Sequence, residues 1–165
     1  MGDLSVRPAT SGDAAAICAI YNQGIEERVA TLETELRTPD ERREWLAARG
    51  VRHPVVVAES AAEQVVGWAS LNRFNPRPAY DHVADISVYV ERAWRGRGVG
   101  RRLIERLVEL GRAHRYHKLV LAAFPLNTAG MALYERSGFR TVGIYREQGL
   151  LDGNWVDVVV MERLL

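Results

Sequence analysis

Three glycines at alternate positions, Gly96, Gly98 and Gly100 in WRGRGVG, run straight into RRLIERLVELGRA, a basic stretch with apolar residues at helical spacing. Glycines strip side chains from the loop, so backbone N–H groups can approach an anion while the following helix presents its positive end. That arrangement suits a phosphate. Arg95, Arg97, Arg101 and Arg102 can add charge, some of them simply as solvated side chains. A Walker loop would need Gly-Lys followed by Ser or Thr, but Arg101 and Arg102 follow Gly100. A dinucleotide fingerprint would need glycine at 101 and a carboxylate ending the next strand, and KLVLAAF (118–124) has none. With both excluded, the plain alternative is a flexible basic turn capping a helix.

Other reactive residue types are sparse. Cys18 lies in the apolar run from Ala14 to Tyr21, where a small hydrophobe fits better than a nucleophile. His114 and His117 sit at a helix end without carboxylate or thiolate companions, so they read as helix-end cations and no metal is expected. The loop RFNPRPAYDH (73–82) is stiffened by prolines and carries Arg73 and Arg77, a residue type suited to bidentate carboxylate binding.

The elements that must position these groups follow from pattern. Thr10 with Asp13 marks one helix start, and Thr38, Pro39 and Glu41 supply cap, first turn and capping-box partner for a second. PVVVAE (54–59), VVGWASLN (65–72) and VADISVYV (83–90) read as strands. A helix from about Gly98 to Arg112 carries one apolar stripe. KLVLAAF is a continuous apolar strand, expected to be covered on both faces. A helix from Asn127 to Ser137 ends at Gly138, and GIYRE and WVDVVVMERL flank LDGN, a hairpin-turn signal. The sum is an α/β (α+β) chain: a mixed sheet of about seven strands flanked by about four helices.

Composition bounds the function. The 165 residues show no composition break, so one domain over 1–165 is expected. Lys plus Arg (22) nearly balances Asp plus Glu (21), which argues against bulk nucleic-acid binding. The apolar runs are far too short to span a membrane, and MGDLSV has neither a leader's basic start nor the Ser or Thr of an acylation signal, where Val6 stands. The lone cysteine suggests a reducing, cytoplasmic setting.

In context, the glycine loop becomes specific. ISVYV, the link ERAW, the loop RGRGVG and the helix after it resemble the cofactor motif of the GNAT superfamily of N-acetyltransferases, and LNTAGMALYERSGF (126–139) resembles its second motif. The resemblance implies the GNAT fold and acetyl-CoA as co-substrate. It implies that amides of the loop from Arg95 to Arg101 hold the pyrophosphate, with Gly96, Arg97, Gly98, Val99 and Gly100 between. It also implies that the Val88, Tyr89 and Val90 backbone pairs with the pantetheine arm. Asn127, Met131 and Tyr134 fall on one helix face, so Asn127 and Tyr134 can point at the same ligand.

AIYNQGIEERVATLETE, ISVYV and GNWVDVVVMER look like the phosphinothricin and methionine sulfoximine acetyltransferase group, and RVAT with DGNWVDVV looks closest to its arsinothricin-resistance branch. Such enzymes acetylate the α-amine of a glutamate-like amino acid bearing a phosphinate, sulfoximine or arsinate head. The resemblance places a base at Asp85, where the resembling enzymes carry glutamate. Aspartate is one methylene shorter, so a bridging water is expected. The blander account is a solvated strand-end carboxylate, with His82 as a reserve base. Tyr134 is the expected acid or hydrogen-bond donor to the CoA sulfur, its rival role a core aromatic. Substrate contacts are expected from Asp85 and Ser87. A substrate arginine of the resembling enzymes falls at Asn75, leaving Arg73 or Arg77 to replace it. Trp155 and Asp157 match the family ending, although a terminal-strand Trp more often packs.

An α-amine near pKa 8 costs only about 1.4 kcal/mol to deprotonate at pH 7, against about 4.6 for a lysine. A weak or water-relayed base can therefore serve an amino-acid substrate. The expectation is direct acetyl transfer to a small-molecule amine, by a homodimer as the resemblance implies. The rivals are a protein or peptide N-terminal acetyltransferase, and a non-catalytic acetyl-CoA-binding module.

Overall fold

The computed structural model describes residues 3–165; Met1 and Gly2, which begin the stretch weighed for a leader or acylation signal, lie outside the described residues. The elements run β1 (Ser5–Pro8), α1 (Ala14–Glu27), α2 (Pro39–Ala47), β2 (Val55–Glu59), β3 (Val65–Arg73), β4 (Val83–Val90), α3 (Val99–Ala113), β5 (Lys118–Ala123), α4 (Thr128–Arg136), β6 (Arg140–Leu151) and β7 (Asn154–Leu164). The expected α/β architecture of seven strands and four helices is the one observed.

The local signals act as their chemistry requires. Glu41 N–H donates to Thr38 Oγ1 at 3.2 Å and Thr38 N–H to Glu41 Oε2 at 2.7 Å, a reciprocal cap for α2. Thr10 opens a short 3-10 turn, Ser11–Asp13, and α1 begins after it. Gly138 takes φ +86° just past α4, a conformation that favours glycine. Asp152 and Gly153 both have positive φ, 50° and 78°, the geometry of the type I′ turn that Asp-Gly signals.

The strands form one sheet in the order β1-β2-β3-β4-β5-β7-β6. Alternation divides it: Val56 and Ala58 of β2 join the core under α3, while Val55 and Val57 join Ile17, Ile20, Ile25 and Trp68 under α1. Helices thus cover both faces over β2 to β4.

β5 departs from expectation. Leu119, Leu121 and Ala123 are buried, but Val120 is half-buried and Ala122 exposed. The strand is covered on one face, because α1 packs over β3 and β4 and leaves the second face of β5 to a cleft. The hairpin strands β6 and β7 also exceed GIYRE and WVDVVVMERL, reaching 12 and 11 residues.

The decisive irregularity is between β4 and β5. All the other strand pairs are antiparallel; this one is parallel, and its ladder holds only Val83↔Lys118, Ala84↔Leu119 and Asp85↔Val120. β4 stays paired with β3 as far as Val90, so its other edge is open from Ile86 to Val90. The two strands splay at Asp85.

Candidate functional site

A groove of about 510 Å³ follows this open edge and ends at the glycine loop. Val88, Tyr89 and Val90 line one wall, with backbone groups that lack ladder partners on that side. Gly96 and Gly98 adopt φ +74° and +84°, and a Cβ on either would meet no neighbour, so backbone conformation, not space, calls for glycine. Gly98 is the N-cap of α3 and offers no side-chain cap, so the first N–H groups of the helix are left for a ligand. Gly100 has a different reason: a Cβ there would lie 2.6 Å from Leu133 Cδ2, and its absence lets α3 approach α4.

Val99, Arg95 and Arg101 also line the groove. Arg95 Nη1 pairs with Glu27 Oε2 at 2.6 Å and its Nε donates to Val90 O at 3.2 Å. Arg101 stands 3.8 Å from Glu105. Arg97 is the one loop residue turned elsewhere, its guanidinium over the Trp94 ring at 5.1 Å. Arg102 donates to Leu4 O at 3.1 Å, away from the groove.

Asn127 and Tyr134 line this groove and also a second, smaller cavity of about 260 Å³ that opens at the splay. Asn127 caps α4, its Oδ1 accepting from Gly130 N–H at 2.9 Å, which leaves its amide NH₂ as a donor. Gly130 makes room for that cap, since a Cβ there would stand 2.5 Å from Asn127 Nδ2.

Asp85 and Ser87 line the smaller cavity. Asp85 is not a solvated strand-end carboxylate. Burial pushes its carboxyl up to about 6, against a partly opposing hydrogen bond from Asn72 at 3.5 Å. Burial pushes the Tyr134 phenol up to about 12, with the Asp85 charge adding to the effect. Burial likewise holds Tyr89 well above the usual phenol range. A carboxylate ionised at neutral pH and a protonated phenol therefore share one cavity.

The arginine loop is elsewhere. Arg73, Asn75 and Arg77 line neither cavity. Arg73 is exposed near Pro76 O at 3.5 Å, and Arg77 N–H donates to Asn75 Oδ1 at 3.0 Å. The prolines turn this segment into a short 3-10 turn, Pro78–Tyr80, pinned by edge packing of Phe74 on Tyr80 at 5.4 Å. His82 is exposed beside His117, with ring centroids 6.0 Å apart, and it too lines neither cavity. Trp155, expected to pack, is 63% exposed. Asp157 Oδ1 accepts from Glu147 N–H at 2.8 Å within the hairpin.

Sequence reasoning missed Thr31 and Leu32 after α1, and Phe124 and Val158, all of which line the smaller cavity. None carries a reactive group that would mark it. The segment after α1 is drawn over the site by Arg28, whose Nε pairs with Asp152 at 3.0 Å, and by Leu32 packing where Gly149 lacks a side chain. Among the described residues no group of three metal-capable side chains comes together. No described helix is long and apolar enough to cross a membrane.

The splayed strand pair thus offers unpaired backbone that ends at a glycine-rich helix start suited to an anion, an arrangement that the family match places in context. Residues 17–139 match the Acetyltransferase (GNAT) family, and the chain belongs to it. It is 32% identical to a phosphinothricin N-acetyltransferase of Streptomyces coelicolor, over 99% of this chain and 97% of that protein. It is 33% identical to an L-methionine sulfoximine/L-methionine sulfone acetyltransferase of Pseudomonas paraeruginosa, over 96% of this chain and 92% of that one. Two crystal structures superpose with a TM-score of 0.93. One is a phosphinothricin acetyltransferase from Sinorhizobium meliloti in complex with acetyl-CoA, 27% identical, covering 98% of this chain and 88% of that chain. The other is a ribosomal-protein-alanine N-acetyltransferase from Brucella melitensis, 36% identical, covering 98% and 99%.

Proposed function

We propose that this protein acetylates the α-amine of a small amino acid, with acetyl-CoA as donor and direct transfer between the two bound substrates. The observation that carries the reading is the cavity of about 260 Å³, with Asp85 on its wall, joined to the groove at Val88, Tyr89, Asn127 and Tyr134. The groove fits the co-substrate: unpaired β4 backbone for the pantetheine amides, and the uncapped start of α3 for the pyrophosphate. The chemistry acetyl-CoA supplies is an activated thioester carbonyl.

This chain's residues do the rest. Asp85, through a water, takes one proton from the substrate ammonium and so frees the nitrogen lone pair to attack; the second N–H proton, made far more acidic once the C–N bond forms, passes to solvent. With the carboxyl near 6 and an α-amine near 8, that transfer is uphill by about 2.7 kcal/mol, a modest part of an enzymatic barrier. Tyr134 donates a hydrogen bond to the departing sulfur. Full transfer from a phenol near 12 to a thiolate near 8.5 would cost about 5 kcal/mol, so the phenol stabilises the charge and solvent completes the protonation. As the C–N bond forms the C–S bond breaks, and N-acetyl amino acid and CoA leave.

The amino acids named by the relatives, phosphinothricin and methionine sulfoximine, support a glutamate-like amino acid as the substrate class, and the proposal extends that class to an arsinate head as in arsinothricin. Ser87 is the proposed contact to that substrate. Arg73, Asn75 and Arg77 lie outside the cavity and are dropped from that role. A peptide substrate, the reading the Brucella neighbour favours, needs an open channel, whereas Leu32 and Phe124 border a cavity of amino-acid size. We assign the enzyme to the cytoplasm as a homodimer of single 1–165 domains, on the free, buried Cys18 and on the exposed apolar edge of β6.

Thiol release from acetyl-CoA tests this against phosphinothricin, methionine sulfoximine, ordinary amino acids and an alanine-ended peptide. Free amino acids are expected to turn over and the peptide not. Tight acetyl-CoA binding with turnover of no amine would leave a binding module. Asp85→Ala is expected to lower kcat by about 10²-fold or more with acetyl-CoA affinity unchanged.

A further inference from the structure

Behind the cavity, β3 and β4 set Asn72 opposite Asp85 and Ser70 opposite Ser87. Asn72 Nδ2 donates to Ser87 Oγ at 3.0 Å and, more weakly, to Asp85 Oδ2 at 3.5 Å. Asn72 Oδ1 accepts from Ser70 Oγ at 2.9 Å and from Arg49 Nη2 at 2.8 Å. Arg49 comes from the turn after α2. Its Nε and Nη2 donate to His53 O and Leu71 O at 2.8 and 2.6 Å, and its guanidinium lies over Trp45 at 4.4 Å.

A side-chain amide can turn over and exchange its donor and acceptor ends, but a guanidinium only donates. Arg49 held by two carbonyls therefore admits one orientation of Asn72: oxygen toward Arg49, NH₂ toward β4. The reverse would set NH₂ against guanidinium and carbonyl against carboxylate, leaving half-buried groups unpaired at about 1–3 kcal/mol each. Ser87 Oγ, already accepting from Asn72, keeps its own hydrogen for the cavity. Arg49 and Asn72 do not themselves line it.

We propose that Arg49 and Asn72 are positioning residues of the active site: Arg49 locks the Asn72 amide, and the amide presents Asp85 to the amine substrate as an acceptor and Ser87 as a donor. This rests on the reading of Asp85 as the base. The Asn72 hydrogen bond favours the ionised carboxylate against the burial that opposes it. Arg49, lowered to about 10 by burial and by neighbouring Arg42, is still charged at neutral pH. The titratable groups facing Asp85 are Tyr134 from α4 and, through Asn72, Arg49; Tyr89 lies further along its own strand.

The test is kcat/KM for the amine against pH, with acetyl-CoA KM and thermal melting in parallel, for wild type, Asn72→Asp, Asn72→Ala and Arg49→Met. Asn72→Asp keeps the size, removes the donor and adds a like charge. It is expected to move the acid limb up by about one pH unit, lowering kcat/KM about 5-fold near pH 6 with recovery at high pH and acetyl-CoA KM within about 2-fold. Asn72→Ala is expected to move it in the same direction by less, and serves if the aspartate variant does not fold. Arg49→Met is expected to lower kcat/KM about 10-fold, with Arg49→Lys, also donor-only, regaining part. Folded Asn72 variants whose acid limb coincides with wild type overturn the proposal alone. A wild type with no acid limb, or an active Asp85→Asn, overturns the base reading instead.

Discussion

At the residue scale, Asp85 exchanges stability for reactivity. Its carboxyl titrates near 6 when folded, against 3.8 for the unperturbed group. Between these values the folded chain binds more protons than the unfolded one, so stability falls as pH rises through the window, and the full cost is present above it. Asp85→Asn removes a buried charge while keeping the shape. At pH 7 it is expected to abolish turnover yet stabilise the fold by about 1–3 kcal/mol, raising Tm by about 3–8 °C. The gain should vanish near pH 3, below both values, where the wild-type carboxyl is protonated in both states. Calorimetry at the two pH values decides it; equal melting of the two proteins at pH 7 would mean the carboxylate is not paying for burial. The resemblance located Asp85 but the residues alone left its surroundings open, because solvation at a strand end depends on what the neighbouring strand does. Here β5 turns away only after Asp85↔Val120, and Tyr134 and Asn72 close round the carboxylate.

At the element scale, the α3–α4 contact joins the phosphate loop to the residues at the reacting end of the groove. Gly100 lies 2.6 Å, measured from a Cβ position, from Leu133 of α4, the residue next to Tyr134 on a helix that Asn127 caps. Gly100→Ala should force the Leu133 methyl aside, shifting that side chain and straining the turn of α4 that carries it. The chain is expected to lose about 1–3 kcal/mol of stability and at least about 10-fold in acetyl-CoA affinity, read by calorimetric titration. An unchanged affinity would show that the two helices bind the co-substrate independently. Gly96, Gly98 and the capping Asn127 obey local backbone rules, and the family resemblance made the two motifs legible as a pair. The reach of Thr31 and Leu32 over the cavity was not, because it depends on a hairpin more than a hundred residues away, through Arg28–Asp152.

At the scale of the whole molecule, six of the seven strands and the four helices could be placed from periodicity and caps, but β1 and the strand order could not. The insertion of β7 between β5 and β6 is set by long-range pairing that leaves no local mark. It puts β6 at the sheet edge with Val142, Ile144 and Tyr145 each 48–57% exposed, and nearer the hairpin turn Leu150 and its partner Trp155 on β7 are 55% and 63% exposed. A long apolar edge strand invites pairing unless it is covered. A second copy of this chain, related by a two-fold axis, would bury this surface on both partners at once. Light scattering on the purified protein is therefore expected to give twice the mass of 18.5 kDa. Ile144→Glu with Trp155→Glu should give a monomer, by placing charge in a surface that association would dehydrate. The β6–β7 hairpin also holds the Thr31 and Leu32 segment through Asp152 and Gly149, so the monomer should show a raised KM for the amine with little change for acetyl-CoA. A wild type that runs as a monomer at micromolar concentration would refute the assembly, and a monomeric variant with unaltered KM would show that the cavity needs no partner.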